Sequence, residues 1–118
     1  MIATLRVNPA WGRAAWLLHR ASGVGVLLFL LLHIGDTALV RLGPQAYDTV
    51  VAVYRNGAFR GLEIVLMAAV LFHAINGLRI TIQDLWPGWL PVQRSMVYGT
   101  YALTAALWLP SAYFMAVR

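Results

Sequence analysis

The chain contains no cysteine and few charged side chains. Without cysteine there are no disulfides, no thiolate metal ligands and no cysteine-bound iron–sulfur clusters. A covalently attached c-type haem is excluded too, because its attachment motif needs cysteines. Lysine is also absent, so all nine basic residues are arginines. Only 11% of the 118 residues are charged, whereas a soluble domain usually has about a quarter. We therefore predict a chain that lies mostly in a membrane.

Hydrophobic residues make up 61% of the chain and form three long runs with short polar connections. About 20 residues of helix cross a hydrocarbon core of about 30 Å. The pattern predicts an all-α membrane protein, and the lack of room for a soluble domain predicts a single membrane-anchor domain. The three transmembrane helices are predicted at about residues 22–41, 59–83 and 95–117.

Two shorter helices are also predicted. Residues 9–20 mix arginines with Trp11 and Trp16, which is typical of a helix at the membrane interface. Residues 44–54 form the second, inside the longer connection. The N-terminus does not have the layout of a signal peptide, because its first apolar run begins late and continues into a full span.

The arginines flank the apolar runs and form no basic stripe, so no nucleic-acid binding is expected. A three-span layout puts five arginines on the side of the N-terminus, namely Arg6, Arg13, Arg20, Arg79 and Arg94. The opposite side has four, namely Arg41, Arg55, Arg60 and Arg118. This small excess favours a cytoplasmic N-terminus in a bacterial or archaeal-type cytoplasmic membrane.

The second span contains one histidine, His73, followed four residues later on the same face by Gly77. A histidine inside an apolar bundle is costly unless something uses it, and a neighbouring glycine lets a large flat group approach the helix. The pattern favours haem, with His73 as an axial ligand of the iron. The alternative for His73 is a hydrogen bond between helices. Close helix packing is the alternative for Gly77, and for Gly23 in the similar stretch His19-x-x-x-Gly23.

The first span carries a polar pair, His33 and Asp36, whose spacing of three places them on one face. Residue counting puts both His33 and His73 near the middle of the membrane. His33 is therefore a second candidate haem ligand. The alternative is that Asp36 is its hydrogen-bonding partner.

A second polar group gathers where the first span begins and the second ends. It comprises His19, Arg20, Arg79 and Asp84, with tryptophans nearby at positions 11, 16, 86 and 89. Such groups at the mouth of an apolar cleft suit a quinone, because they can hydrogen-bond its carbonyls and deliver protons while aromatic rings hold the quinone ring. The arginines can also pair with haem propionates. The alternative is anchoring at the interface, with the arginines reaching lipid phosphates.

Two stretches, His19-Arg20-Ala21-Ser22-Gly23 and His73-x-x-x-Gly77-x-Arg79-x-x-x-x-Asp84, lie in a three-span layout. Together they resemble the cytochrome b membrane-anchor subunit of succinate dehydrogenase. The resemblance implies that His73 ligates a b-type haem shared with a second, similar anchor subunit. It implies that His19 and Arg20 lie near the haem propionates and the quinone, and that Asp84 borders the quinone pocket. Succinate would be oxidised on a flavoprotein subunit, from which an iron–sulfur subunit passes electrons to quinone.

The chain departs from the family at one place. Many members have a quinone-contacting serine three residues before the histidine of the first stretch, and here that position is Trp16. The resemblance leaves open whether Ser22 takes over its hydrogen bond. His33 resembles the extra first-span histidine of members with two haems, so the expected number of haems is one, or two if His33 is a ligand.

Two other functions stay open at this point. A fumarate reductase anchor would run the same electron path in reverse, and its direction depends on cofactors outside this chain. A small non-redox scaffold protein would use its histidines only to bond helices. A proton-conducting fragment built on His33 and Asp36 is disfavoured, because the third span offers no charged partner.

Overall fold

The computed structural model describes residues 10–117. Within them the chain forms four α-helices and no strand. The helices are α1 (Ala10–Ala38), α2 (Pro44–Tyr54), α3 (Gly57–Leu85) and α4 (Gln93–Val117), with 3₁₀ turns at Leu39–Leu42 and Pro87–Val92. Three segments are long and apolar enough to cross a membrane, namely Ala10–Leu42, Gly57–Leu85 and Pro87–Val117. The prediction of an all-α membrane protein with three spans is confirmed.

The predicted interfacial helix over 9–20 is not a separate element. Its described residues, 10–20, are the first turns of α1, which continues without a break to Ala38. No proline follows position 9 until Pro44, so nothing removes a hydrogen bond from the backbone ladder. A helix of 29 residues is roughly 44 Å long and exceeds the hydrocarbon core of about 30 Å. One helix therefore supplies both the span and its interfacial end.

The predicted helix over 44–54 is confirmed as α2. Gly43 has φ 106°, a left-handed conformation that favours glycine, and Pro44 then opens the helix. At the other end of α2, the Tyr54 hydroxyl donates a hydrogen bond of 2.9 Å to Asp36 Oδ2. This bond to a carboxylate raises the pKa of Tyr54, so the hydroxyl keeps its proton at neutral pH. It ties the end of α2 to the end of α1.

Helix α3 lies between α1 and α4 and packs most extensively on α4. Trp108 Nε1–H donates a 2.9 Å hydrogen bond from α4 to the backbone oxygen of Ile64, and the rings of Phe72 and Tyr101 stack with centroids 5.8 Å apart. Of the four buried residues of α3, three are polar, namely Asn76, Arg79 and Gln83. The centre of the bundle is therefore polar, while large apolar side chains face outward, as a lipid environment or a neighbouring subunit requires.

The position of Arg79 weakens the charge argument for orientation. Arg79 is only 9% exposed and lies inside the bundle, so it does not belong among the loop charges that the positive-inside rule counts. Removing it leaves four arginines on each side. Arg6 and Arg118 lie outside the described residues. The cytoplasmic N-terminus therefore stays a prediction without support from the charges.

Candidate functional site

His19 of α1 and His73 of α3 meet face to face, with ring centroids 4.2 Å apart and ring planes inclined by 12°. Each ring also lies over the glycine of the opposite helix. A Cβ atom added at Gly23 would lie 3.0 Å from His73 Cε1, and one added at Gly77 would lie 3.6 Å from His19 Cε1. The two His-x-x-x-Gly stretches thus pack reciprocally. Close packing between helices accounts for Gly23, because an added Cβ would crowd the His73 ring, whereas a Cβ at Gly77 would make an ordinary van der Waals contact. The flat group lying against Gly77 in this structure is an imidazole.

Replacing Gly23 with alanine is expected to destabilise the protein. A methyl carbon 3.0 Å from His73 Cε1 forces the ring to move, which costs about 1–3 kcal/mol and exceeds the gain of up to about 1 kcal/mol in helix propensity. The melting temperature of the detergent-solubilised complex measures the effect. Gly25→Ala is the matched control, because no atom lies within 4 Å of its added Cβ. Equal melting temperatures for the two variants would show that the reciprocal contact is loose.

Two oxygens fix the orientation of the His73 ring. Its Nδ1 lies 3.2 Å from the backbone oxygen of His19 and 3.3 Å from Ser22 Oγ. Ser22 donates its only hydroxyl proton to the same His19 oxygen, at 3.0 Å, so it has none left for His73. Nδ1 must therefore carry the proton and donate. Nε2 then keeps its lone pair and makes no hydrogen bond within the described part of the chain, which is how a metal-ligating histidine is usually prepared.

His19 cannot serve as the second axial ligand of the same iron. The two imidazole faces are in van der Waals contact, so no metal fits between them. Among the described residues there is also no group of three or more histidine and acidic side chains that could hold a metal ion. Haem iron held by His73 would therefore have to take a second protein ligand from outside the described residues.

His33 is not brought near His73. Gly23 is level with His73, and His33 lies ten residues further along α1, which is about 15 Å along the helix axis. The His33 side chain is 58% exposed, with Nδ1 3.8 Å from Asp36 Oδ1 and its ring stacked on Phe29. Asp36 makes its short hydrogen bond to Tyr54 instead. The two histidines therefore occupy different depths, contrary to the expectation that both lie near the middle of the membrane.

A groove of about 560 Å³ opens between the start of α1 and the end of α3. Five residues predicted from the sequence line it, namely Trp11, Trp16, His19, Arg79 and Asp84. The Pro87–Val92 turn and the start of α4 contribute Leu90 and Gln93 to its rim. Indole rings, an aliphatic wall and a few polar groups are the usual lining of a site for a flat organic ligand.

Two other predicted residues lie beside the groove without lining it. The Arg20 side chain is exposed and its guanidinium carbon lies 4.7 Å from the centre of the Trp16 ring. Ser22 is buried between α1 and α3, where it contacts His73 and the His19 carbonyl. Trp86 and Trp89 are exposed and also stay outside the lining. Arg20 is thus separated from the groove by Trp16, and Ser22 by the histidine pair.

Sequence reasoning named Arg79 but missed its two hydrogen-bond partners at the floor of the groove, Asn76 and Gln83. Arg79 Nε donates to Asn76 Oδ1 at 2.8 Å, and Arg79 Nη1 donates to Gln83 Oε1 at 3.0 Å. Gln83 Nε2 in turn contacts Met96 Sδ of α4 at 3.5 Å. The signal was present in the sequence, because polar residues at 76, 79 and 83 recur on one face of an otherwise apolar helix.

Two polar atoms of the groove lining are buried without a hydrogen-bond partner in the described part of the chain. They are Asn76 Nδ2 and His19 Nδ1. Such orphaned atoms normally have a partner, supplied by water or a ligand when the protein does not provide one. Arg79 also lacks an oppositely charged partner, because it is buried and makes no ion pair among residues 10–117. The groove therefore combines an apolar wall with polar atoms that have no hydrogen-bond partner among the described residues.

Comparison with known proteins adds a family to this geometry. A family model described as succinate dehydrogenase/fumarate reductase transmembrane subunit matches residues 3–111. The chain is 35% identical over 107 residues to the succinate dehydrogenase 2 membrane subunit SdhC of Mycobacterium tuberculosis, which covers 91% of this chain and 79% of that protein. It is 31% identical over 97 residues to the succinate dehydrogenase hydrophobic membrane anchor subunit of Halobacterium salinarum, covering 81% of this chain and 74% of that one. The match to the family model covers α1 and α3 completely and α4 as far as residue 111.

Proposed function

Because the chain belongs to the family of succinate dehydrogenase and fumarate reductase transmembrane subunits, we propose that it is the haem b-binding membrane anchor of a succinate dehydrogenase. In this role it helps to form the site where electrons from succinate, delivered by iron–sulfur clusters, reduce quinone. In this proposal succinate is oxidised on another subunit, and this chain contributes no catalytic residue to that step. The observation that carries the proposal is the His73 ring, whose Nδ1 is held by the His19 carbonyl while Nε2 remains available.

The residues around His73 fit a b-type haem. His73 Nε2 is the proposed axial ligand, and the other ligand comes from a second membrane-anchor subunit, since His19 is stacked on His73. Arg79, a buried cation without a carboxylate partner in the described part of the chain, suits a propionate group. His19 and Arg20 complete the proposed surroundings, and Gly77 contributes through the His19 ring that lies against it. Bound haem supplies a one-electron redox centre.

The groove between α1 and α3 is the proposed quinone site. Its indole rings, among them Trp16, hold the quinone ring, and Asp84 at the exposed mouth relays a proton to it during reduction. Arg20 acts on this site through the Trp16 ring that it covers. Ser22 acts through the orientation of His73, so in this proposal it does not replace the serine that many family members place at position 16.

The proposed partners follow from this electron path. They are a flavoprotein subunit, an iron–sulfur subunit and a second membrane anchor, all within a lipid bilayer. The mouth of the groove lies at the N-terminal end of α1 and the C-terminal end of α3. In a bacterial or archaeal-type cytoplasmic membrane with a cytoplasmic N-terminus, this end would face the iron–sulfur subunit.

The family includes fumarate reductase subunits, so electron flow in the opposite direction is the second candidate. The relatives reported above carry the succinate dehydrogenase name, which favours the first. A non-redox scaffold is disfavoured by the burial of Arg79 and by the orphaned atoms of the groove, since both need a partner that residues 10–117 do not supply.

A reduced-minus-oxidised spectrum of the purified complex, with haem quantified as its pyridine adduct per copy of this chain, tests the proposal. We expect one b haem per copy, because His73 alone has the geometry of a ligand. Two haems per copy would make His33 a ligand as well, although it is exposed and about 15 Å from His73 along the helix axis. The absence of haem would leave the scaffold function as the better explanation.

A further inference from the structure

Asn76 is the most deeply buried polar residue of the groove lining. Its exposed fraction is 0%, and it lies eight residues before Asp84 on α3, about 12 Å below the mouth along the helix axis. One of its two polar atoms is satisfied, because Asn76 Oδ1 accepts a hydrogen bond from Arg79 Nε at 2.8 Å. The other, Nδ2, has no acceptor among the described residues.

The orientation of the Asn76 amide is fixed by its partner. A guanidinium can only donate hydrogen bonds, so the atom facing Arg79 must be the carbonyl oxygen. The NH₂ group is then turned away from Arg79 and presents two protons that nothing in the described part of the chain accepts. A buried donor without an acceptor costs about 1–3 kcal/mol. Rotating the amide would not relieve this cost, because it would set NH₂ against the guanidinium.

The chemistry required of a partner follows from the surroundings. His19 Nδ1, the second orphaned atom, belongs to the same lining, and the walls above are tryptophan and aliphatic side chains. A flat, mostly apolar ligand with a carbonyl oxygen at its edge matches an amide donor at the floor and indole rings along the sides. Since the amide is fully covered, such a head group must displace side chains at the groove floor to reach it.

We propose that the Asn76 carboxamide binds the quinone head group by donating a hydrogen bond from Nδ2 to one of its carbonyl oxygens. This inference rests on the proposed quinone function of the groove. Arg20 and Ser22 cannot make this hydrogen bond to the quinone carbonyl, because both lie outside the lining of the groove. Asn76 serves binding, so its loss raises KM for quinone while the maximal rate changes less.

Two variants of Asn76 test the donor directly in the assembled complex. Asn76→Asp keeps the oxygen that Arg79 binds and removes the NH₂ donor, so the fold around Arg79 is retained. Asn76→Leu removes the donor without adding charge. Each is expected to raise KM for a soluble short-chain quinone roughly tenfold, the effect of losing one well-placed hydrogen bond. Succinate oxidation with an artificial dye should stay at the wild-type value in both variants, and haem content should stay at the wild-type value in Asn76→Leu, which places no carboxylate beside Arg79.

The matched control is Asn56→Asp. Asn56 lies at the other end of α3, where its Oδ1 accepts a hydrogen bond from the Ala58 amide, and aspartate preserves that cap. The same amide-to-acid change should leave KM for quinone unchanged there. A direct readout is the infrared carbonyl stretch of quinone bound to the complex, which should move to higher frequency in Asn76→Asp as the hydrogen bond is lost.

The outcomes separate this inference from the function on which it rests. Unchanged KM and an unchanged carbonyl band in Asn76→Asp would overturn the role of Asn76 and indicate that a water satisfies its NH₂ group. A raised KM in Asn76→Asp alone, with Asn76→Leu normal and well assembled, would assign the effect to charge and also overturn it. A shift in haem potential in Asn76→Leu without a change in KM would place a propionate at Asn76 and overturn its role in binding quinone. If variants at the mouth of the groove also leave quinone reduction intact, the quinone function of the groove itself is wrong.

Discussion

Replacing His73 with alanine is expected to remove the b-type haem absorption of the assembled complex completely. The Nδ1 atom of His73 is hydrogen-bonded to the His19 carbonyl, and its Nε2 atom is left for a metal. No other histidine among the described residues combines these two features. Loss of an axial ligand normally releases a b-type haem, since nothing attaches it covalently. A reduced-minus-oxidised spectrum of the purified complex gives the answer.

His33→Ala is the control for this experiment. It also removes one imidazole from a span, but from an exposed side chain that pairs with Asp36, so the spectrum should keep its full haem content. Retention of haem in His73→Ala would refute the ligand assignment. Dye reduction by succinate should persist in both variants and shows that the subunits have assembled. A complex that has lost haem and dye reduction together would instead point to a role of His73 in assembly.

Replacing Asp84 with alanine is expected to lower quinone reduction about a hundredfold, the scale of a lost proton-transfer group. Asp84 is the carboxylate of the groove, and it is exposed at the mouth, where a proton from water can reach it. Electron delivery to an artificial dye does not need this proton. The ratio of quinone reduction to dye reduction should therefore fall by the same factor.

Asp48→Ala provides the comparison for Asp84, because Asp48 is an exposed aspartate in α2 outside the groove. Its ratio of quinone to dye reduction should match the wild type. Parallel loss of both activities in Asp84→Ala would mean that Asp84 supports docking of the soluble subunits. An unchanged ratio would remove Asp84 from the proton path.

The helices were predictable from the sequence because membrane spans obey a simple length and composition rule. The first apolar run lies within α1 and the 3₁₀ turn that follows it, the other two lie within α3 and α4, and Gly43 with Pro44 marked the start of α2. The helix predicted over residues 9–20 continues into the first span without a boundary, for a physical reason. Arginines and tryptophans indicate where the membrane interface lies, but they do not interrupt a helix, so composition changed there while the backbone continued.

Less of the candidate site was predictable, since its geometry depends on how α1 and α3 are rotated against each other. The sequence placed His19 and Asp84 at one end of the bundle, and both line the groove. It did not show that His19 would stack on His73, or that Arg20 would turn outward onto Trp16. Asn76 was overlooked because a single amide in an apolar run shows no pattern by itself. The helical periodicity appears only when Asn76 is considered together with Arg79 and Gln83.

The reciprocal contacts of the two His-x-x-x-Gly stretches also determine which length changes the protein tolerates. The His73 ring lies tightly against Gly23, and the His19 ring lies within van der Waals distance of Gly77. Sliding one helix along the other by a single turn, about 5.4 Å, would separate both pairs at once. An insertion inside α1 between His19 and Gly23 would break this alignment. An insertion in the connection between α1 and α3 would leave it intact, so this connection can change length in related proteins while the distance between the histidine pair and the groove stays constant.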